Sequence, residues 1–190
     1  TAAGTTETTI VLYDDVTESV TVAEGKNITL DLNGFTLKNV AGSHTITNNG
    51  TLTMTGSGTV DNVSHGRGAL VNYGTATLNG GTFTRSAEGE GNSWYVIKNY
   101  GEMTIESAKV ISTGTTSSLI ANGYFDDTDY TENSSNVTAE NAATLTINDG
   151  EFSGGLITLK NDDLGKVVIN DGTFTNGTSS VIQNSYDLTI

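Results

Sequence analysis

Asp126, Asp127, Asp129 and Glu132 crowd four carboxylates into one short segment, among Tyr124, Phe125 and Tyr130. Hard oxygen ligands at that density are the kind that hold Ca²⁺, so calcium is the one cofactor the sequence raises. The match to an EF-hand loop is poor, because the invariant glycine and the closing glutamate are missing. A solvated acidic loop is the competing reading of the same residues.

Side chains for acid–base chemistry are scarce. The chain has two histidines, His44 and His65, and its nearest approach to a catalytic cluster is "SHGRG" at 64–68, with Arg67 inside it and Arg85 further on. The acidic pairs Asp14-Asp15, Asp126-Asp127 and Asp162-Asp163 fall at turns or in the long loop, and none alternates with core residues beside "HGR". His65 reads as a turn residue, and no catalytic residue is assigned. Aromatics are more suggestive. Tyr73, Trp94, Tyr95, Tyr100, Tyr124 and Tyr130 all lie in the middle of the chain, and aromatic platforms suit sugar rings or an apolar protein partner.

The elements that would position these groups follow from a repeat. "NGGTFT", "NDGEFS" and "NDGTFT" spell nearly one turn three times. An apolar series precedes each such turn (Leu32, Met54, Leu78, Ile105, Ile147, Ile169, Ile190), and a second follows it (Leu37, Val60, Phe83, Val110, Phe152, Phe174). The period is about 22 residues, within the range of stacked repeats. A third segment ends in apolar–x–Asn, placing Asn48, Asn72, Asn99, Asn122, Asn161 and Asn184 at matching positions. Segments such as Leu52-Thr53-Met54 alternate apolar with polar, which predicts strands with one face inward.

Three short strands per period leave no room for a crossover helix, so successive coils must stack in parallel. The expectation is an all-β, right-handed parallel β-helix of about seven coils, the hand following the usual crossover preference. Residues 1–190 form one solenoid domain, with a long loop inserted at 123–143. The glycine-rich turns are corners of the scaffold, and the recurring asparagines form an inward structural ladder.

These features resemble the right-handed parallel β-helix of the pectate-lyase-like superfamily. "ITLDLNGFTL" at 28–37 is similar to the first coil of repeat modules in cell-surface, adhesin-type proteins of Gram-positive bacteria. The resemblance implies an extracellular, surface or secreted location, and a fragment of a larger protein whose open solenoid end pairs with another chain or domain. It covers enzymes, adhesins and passive stalks alike. The superfamily's lyases need a base near calcium-binding carboxylates, and its hydrolases need paired carboxylates with a basic cluster. Neither set is evident here. The function expected is therefore non-catalytic: adhesion to a host protein or neutral glycan, or presentation of other domains. The alternative is a polysaccharide-degrading lyase or hydrolase. A remote one is ice binding through outward threonines in "TLT" at 51–53 and 144–146 and "TAT" at 75–77, interrupted by Glu102, Lys166, Val168 and Asp187.

Composition is consistent with this picture. With 22 Asp and Glu against 8 Lys and Arg, the formal charge is −14, which opposes nucleic acid, anionic membranes and acidic polysaccharides as partners. There is no cysteine and no proline, and 23 glycines serve the turns. No apolar run approaches the length of a membrane span.

Overall fold

A computed structural model describes residues 6–87, 94–124, 142–162 and 164–190 of the chain. The insertion at 123–143 lies outside them except at its two ends, and so do the calcium candidates Asp126, Asp127, Asp129 and Glu132 and the ligand candidate Tyr130. The described residues form an all-β parallel solenoid of about seven turns, without helix.

Each turn contributes to two parallel sheets. One sheet runs through Thr8–Val11, Asn27–Asp31, Thr51–Thr55, Thr75–Thr84, Glu102–Ile111, Thr144–Ile147, Lys166–Ile169 and Asp187–Thr189. The other stacks Val20–Val22, Ile46–Asn48, Leu70–Asn72, Ile97–Asn99, Ile120–Asn122, Ile157–Asn161 and Ser180–Asn184. Short second segments such as Thr36–Lys38, Thr59–Asp61 and Glu151–Ser153 join the first sheet after the glycine-rich corner. In Thr75–Thr84 and Glu102–Ile111 the strand runs through that corner as a bulge. The register shifts there, and pairing resumes at Thr82 opposite Lys109.

Alternation places like residues over like. Leu30, Met54, Leu78, Ile105, Ile147 and Ile169 form one inward column, and Leu37, Val60, Phe83, Val110, Phe152 and Phe174 form another. A third is Ile46, Leu70, Ile97, Ile120, Leu159 and Ile182. The columns meet in one core, in which Leu52, Met54, Leu78, Phe83, Ile105 and Ile147 are fully buried. Phe174, the last described member of its column, is half-buried, and its ring stacks on Phe152 at 4.6 Å.

The expected first member of the leading series was Leu32, and the register corrects this to Leu30. The first corner is longer, with Asn33 and Gly34 both at positive φ, so counting back from its glycine lands two residues late. Leu32 is buried all the same, and it fills the space left by Gly81 (φ +80), where a Cβ would come within 2.9 Å of its Cδ1.

The asparagine ladder is continuous. Asn48 Nδ2 donates to Asn72 Oδ1 at 2.7 Å, Asn72 to Asn99 at 2.8 Å, and Asn99 to Asn122 at 2.7 Å. Asn122 then donates to Asn161 at 2.9 Å, and Asn161 to Asn184 at 2.7 Å. The same amide nitrogens also donate to the first residue of the next coil's leading strand: the carbonyls of Thr75, Glu102, Thr144, Lys166 and Asp187. Each amide therefore closes its own corner and ties it to the next. Asn48, Asn72, Asn99, Asn122 and Asn161 are fully buried, and Asn184 at the last coil is exposed.

Loss of an interior rung leaves buried partners unsatisfied, which costs about 1–3 kcal/mol each. Denaturant unfolding of Asn99→Ala should show a loss of that order or more, because Asn72, Asn122, Gly101 and Thr144 all lose a hydrogen bond to its amide. Asn184→Ala should lie within about 1 kcal/mol of wild type, since water replaces its contacts. Equal losses for the two variants would contradict a buried ladder.

Candidate functional site

Just beyond each ladder asparagine the chain leaves the second sheet, and the next residue points out at the corner. In successive coils that residue is Asn49, Tyr73, Tyr100, Gly123, Asp162 and Ser185. Because the coils are in register, Tyr73 and Tyr100 lie one above the other, with centroids 5.0 Å apart and planes 11° from parallel. Tyr124 continues the row, 4.7 Å from Tyr100. Tyr73 is 52% exposed, and Tyr100 and Tyr124 are half-buried. Burial first, then the neighbouring Tyr73, Tyr124 and Asp162, pushes the Tyr100 phenol up to about 12. Burial and Tyr124 raise Tyr73 in the same direction. At neutral pH these phenols keep their protons and can donate.

The outer face of the second sheet carries a feature that the sequence reading missed. Lys98, the middle residue of "IKN", is 2% exposed, and its Nζ lies 4.8 Å from the Tyr95 ring centroid and 4.9 Å from that of Tyr100. The same Nζ donates to Asp162 Oδ2 at 3.2 Å, while Lys160 holds Asp162 Oδ1 at 2.8 Å. Lys98 and Asp162 are two coils apart, roughly twice the 4.8 Å strand spacing. The intervening coil presents Ala121 in register with both lysines, and Gly123 at the corner. Neither has a side chain long enough to stand between them. The available signal was lysine at the same apolar–x–Asn position in two coils, where the others carry Thr47, Val71, Ala121 and Gln183.

Trp94 sits at the other end of the same strand. Its ring is 4.6 Å from His44 and 5.4 Å from Tyr95, and it packs over Gly68, where a Cβ would meet it at 2.7 Å. Trp94 and Tyr95 are both half-buried. Arg85 is buried beneath this corner. It takes the inward position that Asn39 and Asn62 occupy in earlier coils, and donates to the carbonyls of Arg67, Trp94 and Ser64. His44 Nδ1 accepts the Gly68 N–H at 3.0 Å. Burial first, then Arg67, lowers His44 to about 4, with Arg85 adding to the effect. His65 lies in an exposed turn, as expected.

The structure thus brings Tyr73, Tyr100 and Tyr124 into one row, connects it through Lys98 to Tyr95, and leaves Trp94 at the far end of the sheet. Among the described residues no group of His, Asp or Glu is arranged to hold a metal ion. The outward threonines form a nearly unbroken central row: Thr9, Thr29, Thr53, Thr77, Thr104, Thr146, Val168 and Thr189. The row beside it mixes Asn27, Thr51, Thr75, Glu102, Thr144, Lys166 and Asp187, so the paired array breaks at the four residues named from sequence. Compared with models of known families, with curated proteins and with solved structures, the chain finds no match.

Two outcomes follow from this geometry. Removing one member of a buried ion pair is strongly destabilising, by about 3–5 kcal/mol, when a charge is stranded. Asp162→Ala removes the buried carboxylate from both Lys98 and Lys160 and should fall in that range by chemical denaturation. Lys98→Met should cost less, because Asp162 keeps Lys160; the reverse order would refute the arrangement. His44 has a folded value depressed from 6.5 to about 4, so its contribution is present above pH 6.5 and is lost as pH falls toward 4. The stability difference between wild type and His44→Gln should shrink over that window, and a constant difference would contradict a neutral, packed His44.

Proposed function

We propose that this chain is a non-catalytic recognition module of an extracellular bacterial surface protein, and that it binds a neutral glycan at the tyrosine corner. The observation that carries the reading is the Tyr73–Tyr100 stack with Tyr73 half open to solvent. Beside it runs an open groove lined by Tyr73, Gly74, Thr75, Gly101, Glu102 and Thr144. An aromatic edge next to a floor of bare backbone suits the flat face of a sugar ring. Thr75, Thr144 and Glu102 offer hydroxyl and carboxylate partners for its hydroxyls.

The groove is held by stacked coils, so little conformational entropy is lost on binding. Gly74 and Gly101 pack so closely against the preceding corner that a Cβ on either would strike backbone atoms within 2.2 Å. The floor is therefore fixed as well as bare. The net charge of −14 favours a neutral or basic partner over an acidic one at this exposed Glu102 edge. Presentation of other domains on a rigid rod is compatible with the same scaffold and needs no groove.

A glycan array followed by calorimetry tests the reading. Tyr73→Ala should weaken the best neutral glycan about tenfold or more, equivalent to about 1.4 kcal/mol or more, with little change in melting temperature. Unchanged affinity in Tyr73→Ala would remove the corner from consideration. Depolymerisation of a polysaccharide by the purified protein would replace the binding reading with an enzymatic one.

A further inference from the structure

A second groove lies at the opposite end of the second sheet's strands, lined by Ser19, Thr21, Ser43, His44, Thr47 and Arg67 among others. No carboxylate is among the described residues that line it, although the chain carries 22 acidic residues against 8 basic ones. The polar side chains that line it can all donate: four hydroxyls, an imidazole and a guanidinium.

The guanidinium is held in place. Arg67 Nε donates to Gly42 O at 2.9 Å and Nη1 to Gly66 O at 2.9 Å. Its own carbonyl is fixed from beneath by buried Arg85. These bonds engage Nε and Nη1 on two sides of the planar fork and leave Nη2, which projects between them, with no acceptor among the described residues, on an exposed side chain. The imidazole is oriented too. Because His44 Nδ1 accepts from Gly68, the neutral ring carries its proton on Nε2 and is a donor there. Arg67 and Arg85 both act on His44 as positive neighbours, so cations stand at this groove in a chain whose net charge is −14.

We propose that this groove is a binding site for a hydroxycarboxylate, whose carboxylate meets Nη2 of Arg67 and whose hydroxyls meet Ser19, Thr21 and Thr47. Held in place by its two backbone bonds, the guanidinium presents Nη2 for a charge-assisted hydrogen bond to a carboxylate oxygen. Hydroxyl side chains both donate and accept, so they match ligand hydroxyls where an apolar wall would not. The site is separate from the tyrosine corner and does not depend on it.

The test is a titration of the intact chain, at constant ionic strength made up with chloride, using acetate, glycolate and gluconate. Binding is read from the His44 and Gly68 NMR signals and by calorimetry. Saturable shifts at these residues are expected, with gluconate at least about threefold tighter than acetate. Arg67→Gln should weaken gluconate about tenfold or more, Arg67→Lys should also weaken it, and Tyr73→Ala should leave it unchanged. Thr47→Val, which leaves the guanidinium in place, should lower gluconate affinity toward that of acetate. Shifts no larger than those from chloride, equal binding by Arg67→Gln, or equal affinity for acetate and gluconate would each overturn the proposal.

Discussion

Parallel stacking at one strand spacing is the constraint on which the rest of this structure depends. When every coil repeats at about 4.8 Å with its neighbours in register, each side chain must be compatible with the same position above and below. Apolar positions become columns, and the columns become a core without any helix to cover them. A polar side chain can enter such a column only if it satisfies its neighbour in the stack. Asparagine does so because its amide offers a donor on one side and an acceptor on the other, with a hydrogen to spare for the backbone. The amides point the same way from Asn48 to Asn184, and aligned bonds of this kind polarise one another.

The same constraint shapes the outer surface. Residues beyond the ladder are forced into a row, so two tyrosines in adjacent coils stack whether or not a ligand is present. Charge enters where the row changes. Gly123 interrupts the outward series and Ala121 the sheet face, and through that gap Lys98 reaches Asp162 across two coils. At the other end of the sheet, Arg85 replaces the asparagines of earlier coils, and its longer side chain fixes the turn that carries Arg67. Breaks in the like-over-like rule are thus where charge gathers in a chain otherwise dominated by neutral polar residues.

This explains what could be read before any coordinates. The ladder and the columns were legible because each is a local signature repeated at a fixed period, and six copies of apolar–x–Asn leave little freedom. The Tyr73–Tyr100 stack was legible for the same reason, as both follow a ladder residue. Leu30 was missed in favour of Leu32 because the first corner has its own shape, and glycine spacing reports corners rather than strand register. The Lys98–Asp162–Lys160 cluster was hidden because it depends on what is small in the coil between, which no single repeat displays. Arg85 was hidden by its identity, since an arginine at an asparagine's position does not look like a member of the series.

The central claim is that stacked, inward amides lock the coils together, and hydrogen exchange at those amides tests it most directly. The side-chain amide protons of Asn72, Asn99 and Asn122 can be followed by NMR, with exposed Asn49 as the internal reference. The account predicts exchange slowed to the rate of global opening for the three rungs and fast exchange for Asn49. Equally fast exchange at all four would contradict it.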